Sequence, residues 1–175
     1  MAISKDVSVS MLSKKMEGAL NDQVNNEFYS HYLYLSMAAH FESSNLNGFG
    51  HWLRVQAKEE SEHAMKFYEY LIQREGKVIL QPIAAPPTTW KSNKLVFQDA
   101  YQHEQKVTGL IIKLVELAKS EKDYATENFL QWFVKEQVEE EASAHEILQK
   151  LQMLGSDGGA LFMLDGELGK RSASA

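Results

Sequence analysis

The chain has 175 residues, a net charge of −6 and no cysteine, with 44% hydrophobic and 24% charged residues. This composition describes one soluble globular domain, residues 1–175, with a sizeable core. The lack of thiols excludes disulfides, zinc–thiolate sites, iron–sulfur clusters and thiol nucleophiles, and the acidic balance disfavours nucleic acid and anionic membranes while favouring cations.

The first ten residues, MAISKDVSVS, lack the apolar core of a signal peptide, and no apolar run approaches membrane-spanning length. A cytoplasmic location is expected, or an organelle stroma if a transit peptide has been removed. From about Ser10 to His40 the sequence has a helical period, with Leu20, Val24, Glu27, His31, Tyr34 and Ala38 on one stripe. Within it FYSHYLYLSMAA, residues 28–39, is apolar nearly all round. Such a helix is covered on both sides, either by another subunit or by a distant part of the chain.

A second helix, about 46–74, follows FESSNLNGFG, where Ser44 or Asn45 is the expected N-cap, and Gly76 is the expected C-terminal cap. Its stripe reads Phe49, Leu53, Gln56, Glu60, His63, Phe67 and Tyr70. All three prolines, Pro82, Pro86 and Pro87, lie in the next segment, GKVILQPIAAPPTTWKSN. About 18 extended residues reach ~60 Å, enough to run the length of a bundle and make the second and third helices parallel. Val78, Ile79, Leu80, Ile83 and Trp90 predict that the segment packs against something.

The third helix, about 94–120, carries Phe97, Ala100, Glu104, Val107, Ile111, Leu114 and Ala118. The fourth, about 124–154, starts after Asp123 as N-cap, shows Leu130, Phe133, Gln137, Glu140, Ala144, Ile147, Leu151 and Leu154, and stops at Gly155. ALFMLDGEL supplies a short fifth helix, about 159–168, which must dock to be stable; residues 170–175 are expected to form a disordered tail. The fold class is all-α, a four-helix bundle with one long crossover between the second and third helices plus a short C-terminal fifth helix.

Each seam is interrupted by polar residues: Glu27 on the first, Glu60 and His63 on the second, Glu104 on the third, Gln137 and Glu140 on the fourth. One buried carboxylate is ordinarily a hydrogen-bonded oddity. Four helices burying acids together need a cation, since unpaired buried carboxylates cost several kcal/mol each, roughly. These interruptions include one histidine, His63, and no lysine or arginine. Oxygen donors with one imidazole suit iron, manganese, magnesium or zinc. Glu60 and His63, at i and i+3, form one Glu-x-x-His motif, whereas the fourth helix has Gln137-Val138-Glu139-Glu140 in its place. The second of two ions would therefore be held by fewer or weaker ligands than the first, an asymmetry that suits an ion which arrives, is oxidised and leaves.

On NEFYSHYLYLSMAAHF, EESEHAMKFYEYLIQREGK, HEQ, FLQWFVKEQVEEE and LFMLDGEL, in order and over nearly the whole chain, the sequence resembles the non-haem ferritins of the prokaryotic type, in the ferritin-like di-iron carboxylate family. The resemblance implies that Glu27, Glu60 and His63 bind a first iron, that Glu60 and Glu104 bind a second, that Gln137 lines the centre and that Tyr34 is the tyrosine beside it. It implies a third iron site at Glu59, Glu136, Glu139 and Glu140, and a pore position at Glu127, although Leu130 replaces the acid expected a turn later. A cage of 24 identical subunits, with O2 or peroxide as oxidant, is also implied, with the fifth helix near its four-fold axis. Ser61 stands where haem-binding relatives have methionine, and the second Glu-x-x-His is missing, so no haem is expected. The function implied is ferroxidase activity, oxidation of Fe(II), followed by storage of ferric mineral. A di-metal oxygenase on the same bundle and a metal-free helical scaffold are the competing readings. His31, His40, His51, His103 and His145 are expected on the surface or in packing, and neither HEQKV nor HEILQ makes the zinc-protease HExxH.

Overall fold

The computed structural model describes residues 11–172, which form five helices: α1 (Lys14–Glu42), α2 (Asn47–Gln73), α3 (Asn93–Glu121), α4 (Tyr124–Leu154) and α5 (Gly158–Leu168). The all-α bundle, its crossover and its fifth helix are as expected, and no strand occurs among the described residues. No helix there is long and apolar enough to cross a membrane.

The helix ends follow local chemistry with two corrections. Ser13 accepts from Met16 N at 3.0 Å and starts α1; Ser10, the expected start, lies outside the described residues. Asp123 accepts from Thr126 N at 3.1 Å and caps α4, as expected, and α4 ends at Gly155 with φ 58°. The predicted cap of α2 fails. Leu46 occupies that position without a side-chain bond, because Asn45 is used to reverse the chain at φ 59°. A distant residue substitutes: Asp165 Oδ1 of α5 accepts from Phe49 N at 3.0 Å. At the other end of α2 the left-handed residue is Glu75, φ 57°, rather than Gly76.

The crossover is tied down along α1. Asn21 donates to Lys77 O at 2.9 Å and accepts from Ile79 N at 2.6 Å, Gln81 donates to Asp22 at 2.8 Å, and Ser36 donates to Pro87 O at 2.5 Å. Trp90 then packs edge-on against His40 and donates to Asp99. The segment thus ascends α1 from Asn21 to His40 and makes α2 and α3 parallel. It covers α1 only in part. Tyr32 and Leu35 stay exposed, as do Ile79 and Leu80 of the crossover itself.

The interior divides into two apolar clusters. One gathers Phe41, Phe49, Trp52, Phe97, Ile147 and Leu151 near the α1–α2 turn, together with Leu164 and Leu168 of α5. The other gathers Met16, Leu20, Phe67, Leu71, Leu114 and Phe133 toward the opposite end. The seam residues Glu27, Gln56, Glu60, His63, Glu104, Gln137 and Glu140, all buried, form a polar belt in sequence between them on each helix. α5 lies so close to the start of α2 that a Cβ on Gly48 would stand 1.7 Å from Asp165 O. Only glycine fits there.

Candidate metal centre

The belt is built from helix interiors, so the backbone fixes where each acid starts. Glu27 rises from α1, Glu60 and His63 from one face of α2, Glu104 from α3, and Gln137 and Glu140 from α4. Three sets of donor atoms converge: Glu27, Glu60 and His63; Glu60, Glu104 and Glu140; and His63, Glu136 and Glu140. Within each set one donor atom per residue lies within 4.8 Å of the others. Glu60 belongs to the first two, so its carboxylate stands between two candidate cation positions.

Neutral donors hold these acids in place. Gln23 Nε2 donates to Glu27 Oε1 at 2.7 Å. Gln56 Nε2 reaches both Glu60 Oε1, at 2.9 Å, and Glu140 Oε2, at 2.6 Å. Gln137 Nε2 donates to Glu104 Oε2 at 3.1 Å, and the Tyr34 hydroxyl donates to Glu104 Oε1. His63 Nδ1 is 3.6 Å from Glu60 Oε2, its ring set edge-on against Trp132. The glutamine and tyrosine partners aim the carboxylates without adding charge. Glu27 Oε2 is buried with no hydrogen-bond partner. An orphaned carboxylate oxygen facing other acids is the donor a dication would satisfy.

The electrostatics follow from that geometry. Burial, then the charge of Glu60, pushes the Glu27 carboxyl well above its usual range, and the same two causes raise Glu104 to about 8. Glu140 is raised well above its usual range by burial and by Glu60 and Glu104. Burial also works against ionisation of Glu60, but the His63 ring and the Gln56 amide outweigh it and hold Glu60 low. One belt acid is thus held ionised while its neighbours retain protons that a cation would displace. Tyr34 is raised well above its usual range, first by burial and then by Glu104, and is a neutral phenol. His103 sits behind it, edge-on to the Tyr34 ring with Nε2 2.7 Å from Ser30 Oγ, and burial lowers it to about 4.

Of the sequence-predicted ligands, Glu27, Glu60, His63 and Glu104 converge, with Tyr34 and Gln137 bonded to Glu104. The expected third set does not form a single group. Glu136 and Glu140 meet His63, Glu139 is exposed and 3.9 Å from Lys135, and Glu59 is buried against Arg171. Glu127 is half-buried, 3.7 Å from Lys119, and Leu130 is core. Two partners escaped the sequence reading. Gln56 interrupts the α2 seam as visibly as Glu60, but its link to Glu140 of α4 needs the bundle. Arg171 falls in the expected tail yet is held by Glu59, Trp52 and His51; residues 173–175 of that tail lie outside the described residues. The remaining histidines pack as expected: His31 Nδ1 donates to Ala57 O, and His145 stacks on Tyr101.

Residues 17–154 match the family described as ferritin-like domain. The bacterial non-heme ferritin of Bacteroides fragilis (strain 638R) is 42% identical over 161 residues, 92% of this chain and 100% of its own length. A probable bacterial non-heme ferritin-like protein of Haemophilus influenzae is 43% identical over 165 residues, 94% of this chain and all of its own. Among solved structures, the open pore ferritin of the hyperthermophilic archaeon Archaeoglobus fulgidus superposes with a TM-score of 0.92 at 52% identity, over 93% of this chain and 100% of that one. The chain belongs to the ferritin-like domain family. Iron storage by a ferritin is the function that this membership and these likenesses support.

Proposed function

We propose that the chain is a ferroxidase subunit, oxidising Fe(II) at an asymmetric pair of positions and passing Fe(III) to stored mineral. The observation that carries this reading is the membership of Glu60 in both donor sets, with Glu27 and His63 on one side and Glu104 and Glu140 on the other. Iron is the substrate. Two Fe(II) ions bind side by side, displacing protons from Glu27, Glu104 and Glu140. Each ion gives one electron to O2, which with two protons leaves as hydrogen peroxide; peroxide in turn accepts two electrons and two protons to become water. Carboxylate oxygens favour the harder Fe(III), which eases the oxidation. Tyr34 holds Glu104 in position, and Gln137 steadies its other oxygen. With Gln137 where a second Glu-x-x-His would have its glutamate and Glu140 where it would have its histidine, the Glu104 side has no imidazole and binds more weakly, and the product leaves from there.

A third ion is proposed beside Glu140, held by Glu59, Glu136 and Glu139. Assembly into a homo-oligomeric cage, of 24 subunits by family resemblance, is supported by apolar surface left exposed among the described residues. Tyr32, Leu35 and Leu80 lie on the α1 side, and Phe162 and Met163 of α5 are each 77% exposed. Glu127 is the pore acid on the same reading. The oxygenase alternative needs iron that stays bound. Aerobic addition of Fe(II) in many-fold excess separates the two: repeated turnover to soluble ferric mineral is expected, whereas oxidation that stops after the bound equivalents, or runs no faster than in buffer, refutes the proposal. Light scattering that finds only monomers or dimers refutes the cage.

A further inference from the structure

Arg171 is held by His51, Trp52 and Glu59 of α2, and its position follows from the docking of α5. Asp165 caps the N-terminus of α2 through Phe49 N, and Gly48 allows the two backbones to touch. α5 therefore ends beside the first turns of α2, and the next residues run along that helix. Arg171 stacks on the Trp52 ring, 4.1 Å from its centroid, and donates to Trp52 O at 3.2 Å. His51 Nε2 donates to Arg171 O at 2.8 Å. Trp52 and Glu59 are seven residues apart, on one face of α2, and the guanidinium spans that interval to reach Glu59 Oε2 at 2.5 Å. Both partners are sheltered, at 19% and 8% side-chain exposure.

We propose that Arg171 is the resident cation of Glu59 and acts as a latch: a third divalent ion beside Glu140 gains the Glu59 carboxylate only by displacing it. This rests on the proposed third ion. Glu59 directly precedes Glu60, which shares a donor set with Glu140. The guanidinium thus neutralises the one acid of the third set that lies on α2, and leaves Glu136 and Glu140 on α4 facing His63. A fixed monovalent charge with hydrogen bonds of its own competes with an incoming dication, and the competition is local because Arg171 bonds to Glu59, Trp52 and His51. Arg171 is a positioning residue. The C-terminal segment consequently sets the order of filling, with the paired positions first and the third only when the segment lets go.

The test is anaerobic Fe(II) titration of the full assembled protein, read by calorimetry, with helicity and particle size checked for each variant. R171Q should tighten the third ion by about tenfold, the scale of a lost charged hydrogen bond, without altering the first two. R171K, which keeps the cation, should behave as the parent, and E59Q added to R171Q should remove the gain. Equal third-ion affinity in the parent and R171Q, with the paired ions bound normally, overturns the latch and leaves the proposed ferroxidase intact. Absence of tight binding of any ion overturns both.

Discussion

Near the end of α2, Arg74 donates to Asp123 at 3.1 Å, to Thr126 Oγ1 at 3.0 Å and to Tyr70 OH at 2.6 Å, and Thr126 donates back to Asp123 at 2.6 Å. About four turns earlier on the same helix, Glu60 faces Glu27, Glu104 and Glu140 with an imidazole and amides but no lysine or arginine. The first network carries its own cation and closes on itself. The second leaves Glu27 Oε2 unpartnered. Burial of charge is common to both, so burial alone does not mark a site; what separates them is whether the chain supplies the opposite charge. The closed network ties the α3–α4 turn to the end of α2, and the open one waits for ions.

The comparison breaks most sharply at Glu60. Glu60→Ala removes the acid that both donor sets share, and because partners merely supporting a ligand cost about 10–100-fold, the fast phase of Fe(II) oxidation should fall to the rate in buffer. Stopped-flow absorbance measures this, and a fast phase that survives refutes the shared site. Arg74→Met is the converse. It strands Asp123 and should lower stability by about 2 kcal/mol in denaturant titration while the oxidation rate per folded subunit stays unchanged.

Acidity sharpens the contrast, because the two networks respond with opposite signs. Glu104 has a folded value of about 8 against an ordinary 4.5, so the folded state binds a proton the unfolded state has lost. Its contribution to stability is complete below about pH 4.5 and is lost as pH rises to about 8, with Glu27 and Glu140 acting in the same direction. Asp123 is held below its ordinary value by Thr126 and Arg74 against the opposing effect of burial; its contribution is present above that value and is lost as acid protonates it. Melting of the chelator-treated protein should therefore fall across pH 5–8, and a redox-inert divalent ion should raise it most at the upper end, with release of protons from Glu27, Glu104 and Glu140 on binding. A melting curve flat in pH, or ion binding without proton release, refutes the protonated belt. The smallest effect is expected at Glu139, exposed and near Lys135. Glu139→Gln should weaken a third ion by less than about threefold, and a larger loss in the anaerobic titration would make it a principal ligand.

The seams of α2 and α3 were legible to the residue. A period of 3.6 with polar breaks at Gln56, Glu60, His63 and Glu104 states which side chains turn inward, and all of them are buried. The caps at Asp123 and Gly155 were legible for the same reason, being decided within one turn of chain. Leu46 was not, because the group that caps α2 comes from Asp165, more than a hundred residues away. Nor was the role of Gln56, since its amide looks identical in sequence whether it faces solvent or spans Glu60 and Glu140.

Local periodicity thus committed this chain to long amphipathic helices, an acid-bearing face on each and a crossover long enough to make two of them parallel. Packing decided which acids share an ion, which amides aim them, that Arg74 is answered by Asp123 while Glu27 Oε2 is left without a hydrogen-bond partner among the described residues, and that Arg171 reaches Glu59. Helical phase is set by bonds four residues apart, whereas the meeting of two side chains depends on the axial register of separate helices, and that is fixed only when their apolar faces interlock.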